Sequence, residues 1–180
     1  MQNYIALLRG INVSGQKKIK MAELREQLSS LGFTDLQTYI QSGNIVFKTK
    51  KTSHSKLEKA IHNKIKTAYG FDVPVMVRTK QELAKAIQNC PYANDPKREE
   101  KFIAVTFLSA APSDTAIAVL NEKDYSPEEW VIDNNILYLY AANGFGRAKM
   151  SNNLFERKLK LTATTRNWRT VNKLLEMSSS

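Results

Sequence analysis

Thr38-Tyr-Ile-Gln-Ser-Gly-Asn-Ile-Val-Phe47 reads as two short strands folded over a polar tip. Thr38–Gln41 and Ile45–Phe47 supply β-branched and aromatic residues, and Ser42-Gly43-Asn44 supplies a turn in which glycine and asparagine can take positive φ. The flanks of this hairpin decide the fold. Upstream, Met21, Leu24, Leu28 and Leu31 recur at helical spacing, and Gly32 with Phe33 gives a glycine stop and its apolar follower. Before that helix, Tyr4–Leu8 is an apolar run of strand length. Downstream, Ser55-x-x-Glu58 reads as a capping box for a helix with Leu57, Ile61 and Ile65 on one face, closed by Gly70. Val73–Val77 follows as a strand containing Pro74, which a sheet tolerates only at its edge. The order is βαββαβ, the ferredoxin-like arrangement, whose last strand is an edge.

The same order returns. Thr79-x-x-Glu82 opens a further helix through Leu83 and Ile87, and residues 91–100 are rich in turn formers and charge. Phe102–Leu108 is then a strand, Pro112–Leu120 a helix, and Glu129–Ile132 with Ile136–Tyr140 a second hairpin over Asp133-Asn134-Asn135. Asn153-x-x-Glu156 reads as the cap of a helix bearing Leu154, Phe155 and Leu159. Thr162–Thr165 is a short last strand, and a final helix carries Trp168, Val171 and Leu175. The expected fold is α+β: a ferredoxin-like subdomain over 1–78, a connecting helix and linker over 79–100, and a second ferredoxin-like subdomain over 101–180 with an extra C-terminal helix. Both faces of the first strand are apolar, Ile5 and Leu7 on one and Ala6 and Leu8 on the other, so both faces of its sheet should be covered. The repeat is one of element order, without residue-level self-similarity.

The chain has 180 residues and a net charge of +10, and that charge is unevenly placed. Residues 1–20 hold four cations and no acid, and residues 141–180 hold eight cations against Glu156 and Glu176. The 120 residues between them have 15 of each sign. All of the excess lies in two end segments, which favours an anionic partner over general solubilising charge.

Those segments also contain the polar motifs. Arg9-Gly10-Ile11-Asn12 leaves a central strand, and the hairpin tip Gln41-Ser42-Gly43-Asn44 is of similar composition. Neither is a phosphate-cradling loop of nucleotide-triphosphatase spacing or a dinucleotide fingerprint. Gly144-Phe-Gly-Arg147-Ala-Lys149 is the strongest signal: glycines allow close approach of backbone, and an arginine fork and a lysine suit phosphate or carboxylate. The following helix start adds amide donors. In Thr165-Arg166-Asn167-Trp168-Arg169, Asn167 caps a helix, Trp168 packs, and Arg166 and Arg169 are left for solvent or ligand. The candidate ligand-binding residues are therefore Arg9, Asn12, Gln41, Ser42, Asn44, Arg147, Lys149, Arg166 and Arg169, and the two basic ends are expected to form one site.

Catalytic machinery is not apparent. His54 and His62 lie away from every motif, Cys90 has no nearby base, and the motifs hold no carboxylate pair or metal cluster. A base would have to be Tyr39, Lys149, Glu156 or a distant acid. The leading reading is a protein that binds a small phosphate- or carboxylate-bearing ligand. The alternatives are nucleic-acid binding, with RNA foremost, and an enzyme of unknown reaction on an anionic substrate. An RNA-recognition sheet would need stacking rings on its central strands, and only Tyr138 and Tyr140 offer them. No cofactor is selected. One cysteine, no secretory signal and no bilayer-length apolar run point to a cytoplasmic protein without a membrane partner.

Tyr4–Gly15 (YIALLRGINVSG), Thr38–Asn44 (TYIQSGN), Val73–Arg78 (VPVMVR), Gly146–Met150 (GRAKM) and Ala163–Leu174 (ATTRNWRTVNKL) resemble the bacterial domain-of-unknown-function 1697 family. The family usually has Gly-Gly where this chain has Ser14-Gly15, and a serine at the place of Ala148. The resemblance implies a two-subdomain α+β fold and brings no activity, substrate or cofactor.

Overall fold

In a computed structural model, residues 1–179 are described, and they form two four-stranded antiparallel sheets with six α-helices. Residues 1–85 with 173–179 cluster as one compact unit and 86–172 as the other. The first unit contains β1 (Gln2–Leu8), α1 (Met21–Ser29), β2 (Thr34–Tyr39), β3 (Asn44–Thr49), α2 (His54–Tyr69) and β4 (Val75–Thr79), in sheet order β2-β3-β1-β4. This is the ferredoxin-like topology, with β4 at an edge. Pro74 lies just before β4, and its carbonyl accepts the Arg9 N–H at 2.9 Å.

One side of this sheet packs on its helices. Tyr4, Ala6, Leu8, Ile45, Phe47 and Val77 are buried with Leu24 and Leu28 of α1 and Leu57, Ile61 and Ile65 of α2. Ile5 and Leu7 pair with Val46, Met76 and Arg78 across the opposite face, and all are buried. Both faces are therefore withdrawn from water, as the apolar run 4–8 required. On that second face the Asn3 side chain donates to the Ser178 carbonyl at 2.5 Å.

α3 (Lys80–Gln88) follows, opened by a full capping box: Thr79 Oγ1 accepts from the Glu82 N–H and the Glu82 carboxylate accepts from the Thr79 N–H. The second unit contains β5 (Ile103–Leu108), α4 (Asp114–Asn121), β6 (Glu129–Asp133), β7 (Ile136–Tyr140), α5 (Asn152–Leu159) and β8 (Ala163–Asn167), in order β6-β7-β5-β8. Its core gathers Ala104, Leu108, Leu137 and Leu139 from the sheet with Leu120, Leu154, Phe155 and Leu159 from the helices. α6 (Trp168–Met177) is capped by Asn167, which accepts from the Thr170 N–H.

Three local readings need correction. Ser55-x-x-Glu58 is not a capping box: the N-cap of α2 is Ser53, and the Glu58 carboxylate accepts from the Val77 N–H instead. Asn153-x-x-Glu156 fails likewise, because Ser151 caps α5 and Glu156 accepts from the Ala163 N–H. In both, the glutamate satisfies an edge-strand donor that would otherwise lack a partner, which outweighs the local cap. In the first hairpin, Gly43 and Ile40 take positive φ, while Asn44 is the first residue of β3.

Candidate functional site

The basic loop of the second unit runs from Gly144 to Ser151, between β7 and α5. It has an anchor that local sequence gives no sign of. Glu128, only 9% exposed, accepts from the Lys149 N–H at 2.6 Å and the Met150 N–H at 2.7 Å, one with each carboxylate oxygen. The loop has no acid of its own, and an acid 21 residues earlier grips its backbone. Gly144, at φ +81, starts a single 3-10 turn through Phe145, Gly146 and Arg147. Arg147 and Lys149 point to solvent. Arg147 has no hydrogen-bond or ion-pair partner for its guanidinium among the described residues. Lys149 helps hold the Asp124 carboxyl below the usual range, after the larger effect of the Ser126 hydroxyl and N–H donating to it.

Behind the loop lies a cavity of about 220 Å³. Its walls come from the two stretches that the sequence singled out: Phe145, Met150, Ser151 and Asn152 on one side, Thr165 and Asn167 on the other. Ala104, Leu139 and Phe155 make an apolar floor. The polar rim is held by a hydrogen-bonded relay. Asn152 Nδ2 donates to the Ala163 carbonyl, Thr165 Oγ1 donates to Asn152 Oδ1, and the Thr106 and Thr165 hydroxyls lie 2.8 Å apart. No charged side chain lines this cavity. Phe145, which lines the cavity, stands 40% exposed.

The remaining residues of the C-terminal motif separate. Arg169 is exposed in the first turn of α6. Arg166 was expected to face solvent or ligand. It is 8% exposed, with Nη1 donating to Thr164 Oγ1 and to the Thr165 carbonyl. Its strand position sets this, because Arg166 pairs with Val105 on the sheet face that also buries Tyr138. Arg78 holds the same place in the first sheet, opposite Ile5, and is also buried. Burial lowers its pKa.

In the first unit, Asn12 joins two loops. At φ +53 it donates to the Ile19 and Gln41 carbonyls and accepts from the Ile19 N–H. Both of its amide protons are thereby used. Asn44 is fully buried and donates to the Tyr39 carbonyl and Ser42 Oγ, while Gln41 is exposed at the tip. Arg9 is half-buried, directly after β1. Gly43 is fixed twice over: φ is +82, and a Cβ there would lie 2.6 Å from that of Leu8.

Burial raises the Cys90 thiol, which makes it a poor nucleophile. No group of three or more potential metal-ligating side chains occurs among the described residues. No helix among them is long and apolar enough to cross a membrane.

Comparison with known proteins bears on this geometry. Residues 1–138 match the model of a family described as "Protein of unknown function (DUF1697)". The chain belongs to the DUF1697 family. The matched range takes in the Arg9–Asn12 loop, the 41–44 tip and Glu128, and it ends before the 144–151 loop and the 163–174 stretch. Among solved structures, the conserved bacterial protein SP0830 from Streptococcus pneumoniae is similar, at 25% identity and a TM-score of 0.74, with 98% of each chain covered. That likeness extends the shared architecture across the loop and α6, beyond the part that the DUF1697 match covers. No curated protein matches the chain.

Proposed function

We propose that this DUF1697 protein binds a small ligand carrying a phosphate or carboxylate, through the loop 144–151 and the cavity behind it. The observation that carries the reading is the pairing of an apolar-floored cavity with an arginine that has no partner among the described residues, on a loop held by a buried carboxylate. The body of the ligand rests on Ala104, Leu139 and Phe155, and its charged end extends out of the cavity to Arg147 and Lys149 on the loop. The anchoring by Glu128 supports this, since a loop ordered before binding loses less entropy when the ligand arrives. Arg9, Gln41 and Ser42 belong to the loops of the first unit.

Nucleic-acid binding through the sheet finds less support. The candidate stacking rings are buried, Tyr138 with its hydroxyl donating to the Ala86 carbonyl and Tyr140 against Tyr92 and Phe102.

The test is native mass spectrometry of the purified full chain for retained ligand, with thermal shift in phosphate and in citrate. Arg147→Ala should reduce the anion-induced rise in Tm, and Arg147→Lys should restore it poorly if the contact is a fork. A double-mutant cycle with Arg9→Ala then reports whether the two basic ends act on the same anion. Unchanged anion stabilisation in Arg147→Ala refutes the proposal.

A further inference from the structure

At the other end of α5 lies a second concavity, a cleft of about 440 Å³ between that helix and α4. Ser113, Thr115, Ala116 and Val119 line one wall, and Arg157, Lys158 and Lys160 line the other. No acid lines it. None of the three cations has an ion-pair partner among the described residues. Ser113 Oγ is used as the cap of α4, accepting from the Ala116 N–H, whereas the Thr115 hydroxyl has no hydrogen bond among the described residues.

A plainer account covers part of this. Cations in the last turn of a helix offset its negative end, and Arg157 and Lys158 occupy that turn of α5. It does not cover Lys160, which lies past the helix at φ +57, where glycine is the residue of least cost. Nor does it explain why three like charges converge on a hollow. Like charges without a counter-charge repel, and a bound anion would relieve that repulsion.

We propose that the α4–α5 cleft is a second binding site, for a phosphorylated small molecule. Its phosphates lie among Arg157, Lys158 and Lys160, with the Thr115 hydroxyl as a further donor, and its apolar body lies over Ala116 and Val119. Arg157 supplies a planar fork and the two lysines supply point charges, the usual division of work in phosphate recognition. The cleft falls in the size range of small-molecule sites, roughly 300–1,000 Å³. The two sites share α5, with Asn152 and Phe155 lining the loop cavity and Arg157 and Lys158 lining the cleft.

The test uses the isotope-labelled full chain, with inorganic pyrophosphate and adenosine diphosphate as probes. Backbone amide shifts should concentrate in residues 113–119 and 157–160, with the diphosphate ester perturbing Ala116 and Val119 more than pyrophosphate does. Arg157→Glu should weaken both probes at least tenfold. Lys160→Gly removes a cation and a disfavoured backbone conformation together, so it should weaken binding several-fold while Tm holds or rises. That combination separates loss of a site from loss of fold. Arg147→Ala should leave these shifts unchanged, so failure of the loop reading and failure of this one are distinguishable. The proposal is overturned if shifts fall elsewhere, if Arg157→Glu and Lys160→Gly bind like the parent chain, or if sodium chloride at equal ionic strength gives the same shifts. It is also overturned if a single-stranded RNA binds far more tightly, with a steep salt dependence and a footprint beyond the cleft.

Discussion

Replacing Glu128 by Gln tests whether the basic loop is held from below. The carboxylate makes two short charge-assisted hydrogen bonds, to the N–H groups of Lys149 and Met150, from a site that is 9% exposed. Glutamine keeps one acceptor oxygen and puts an amide nitrogen, itself a donor, against the second N–H. One bond to a charged group is lost, worth about 1.5–3 kcal/mol, and two donors are left facing each other. We expect a total loss of about 2–4 kcal/mol, a large fraction of the roughly 5–15 kcal/mol that stabilises a typical domain. Removing any negative charge from a chain of net charge +10 adds some general repulsion, so a control is needed. Glu176→Gln provides it, because among the described residues the Glu176 carboxylate meets only Lys173, in an exposed pair three residues apart on α6, worth under about 1 kcal/mol. Urea unfolding of both variants gives the difference, and amide exchange at Lys149 and Met150 locates it. The reasoning fails if Glu128→Gln lies within about 0.5 kcal/mol of the control and the two amides exchange as before.

Gly43→Ala should cost about 2–5 kcal/mol by urea unfolding, since the residue would be left-handed at φ +82 and its Cβ would overlap that of Leu8. Thr79→Ala should lose about 1 kcal/mol by removing half of a capping box, again read by urea. Arg98→Leu breaks a bidentate pair with Glu129 and two cation–π contacts, with Tyr92 and Tyr140, and should lower Tm measurably in a calorimetric scan. Burial, then the nearby Glu129 carboxylate, pushes the Tyr92 hydroxyl up to about 12, with Arg98 opposing. Between pH 10 and that value the unfolded chain has released this proton while the folded chain keeps it, so stability should fall as pH rises across that window. Urea midpoints at pH 8, 10 and 11 check the sign, and a flat profile would contradict it.

The architecture was legible because periodicity and turn chemistry agreed over long stretches. Leu57, Ile61 and Ile65 mark the buried face of α2, and all three are buried; Gly70 ends that helix in the left-handed conformation. The strand expected at an edge is at one, but it begins at Val75, so Pro74 precedes it rather than lying within it. The caps were less legible, because Ser-x-x-Glu spacing is ambiguous where a nearby edge strand also needs an acceptor, as with Glu58 and Glu156. The site was half legible. The sequence chose the two stretches that wall the loop cavity, but it could not show that Asn12 and Asn44 spend their amide protons on the fold. Summed charge misled in a similar way: the run 141–180 is basic, yet Glu128, from the neutral middle of the chain, accepts from its backbone.

Arg166 shows why composition alone misplaces a functional residue. A sequence places its side chain by the parity of its strand, and a short polar strand such as Ala163–Asn167 has no apolar alternation from which to read that parity. Register decides it: Arg166 opposes Val105, whose other neighbour is the buried Tyr138. Arg78 reaches the equivalent place opposite Ile5, at the end of the other unit's fourth strand. In each unit the arginine is followed at once by a helix-capping residue, Thr79 before α3 and Asn167 before α6. Two buried guanidinium groups at one register position, each at a strand-to-helix junction, impose a desolvation cost that an exposed ligand-binding role would not require. Each guanidinium donates within its own strand, Arg78 to the Val77 carbonyl and Arg166 to Thr164 Oγ1 and the Thr165 carbonyl. Among the cations of the C-terminal motifs, Arg147 and Lys149, on the loop whose backbone Glu128 holds, are therefore the ones on which the proposed site rests.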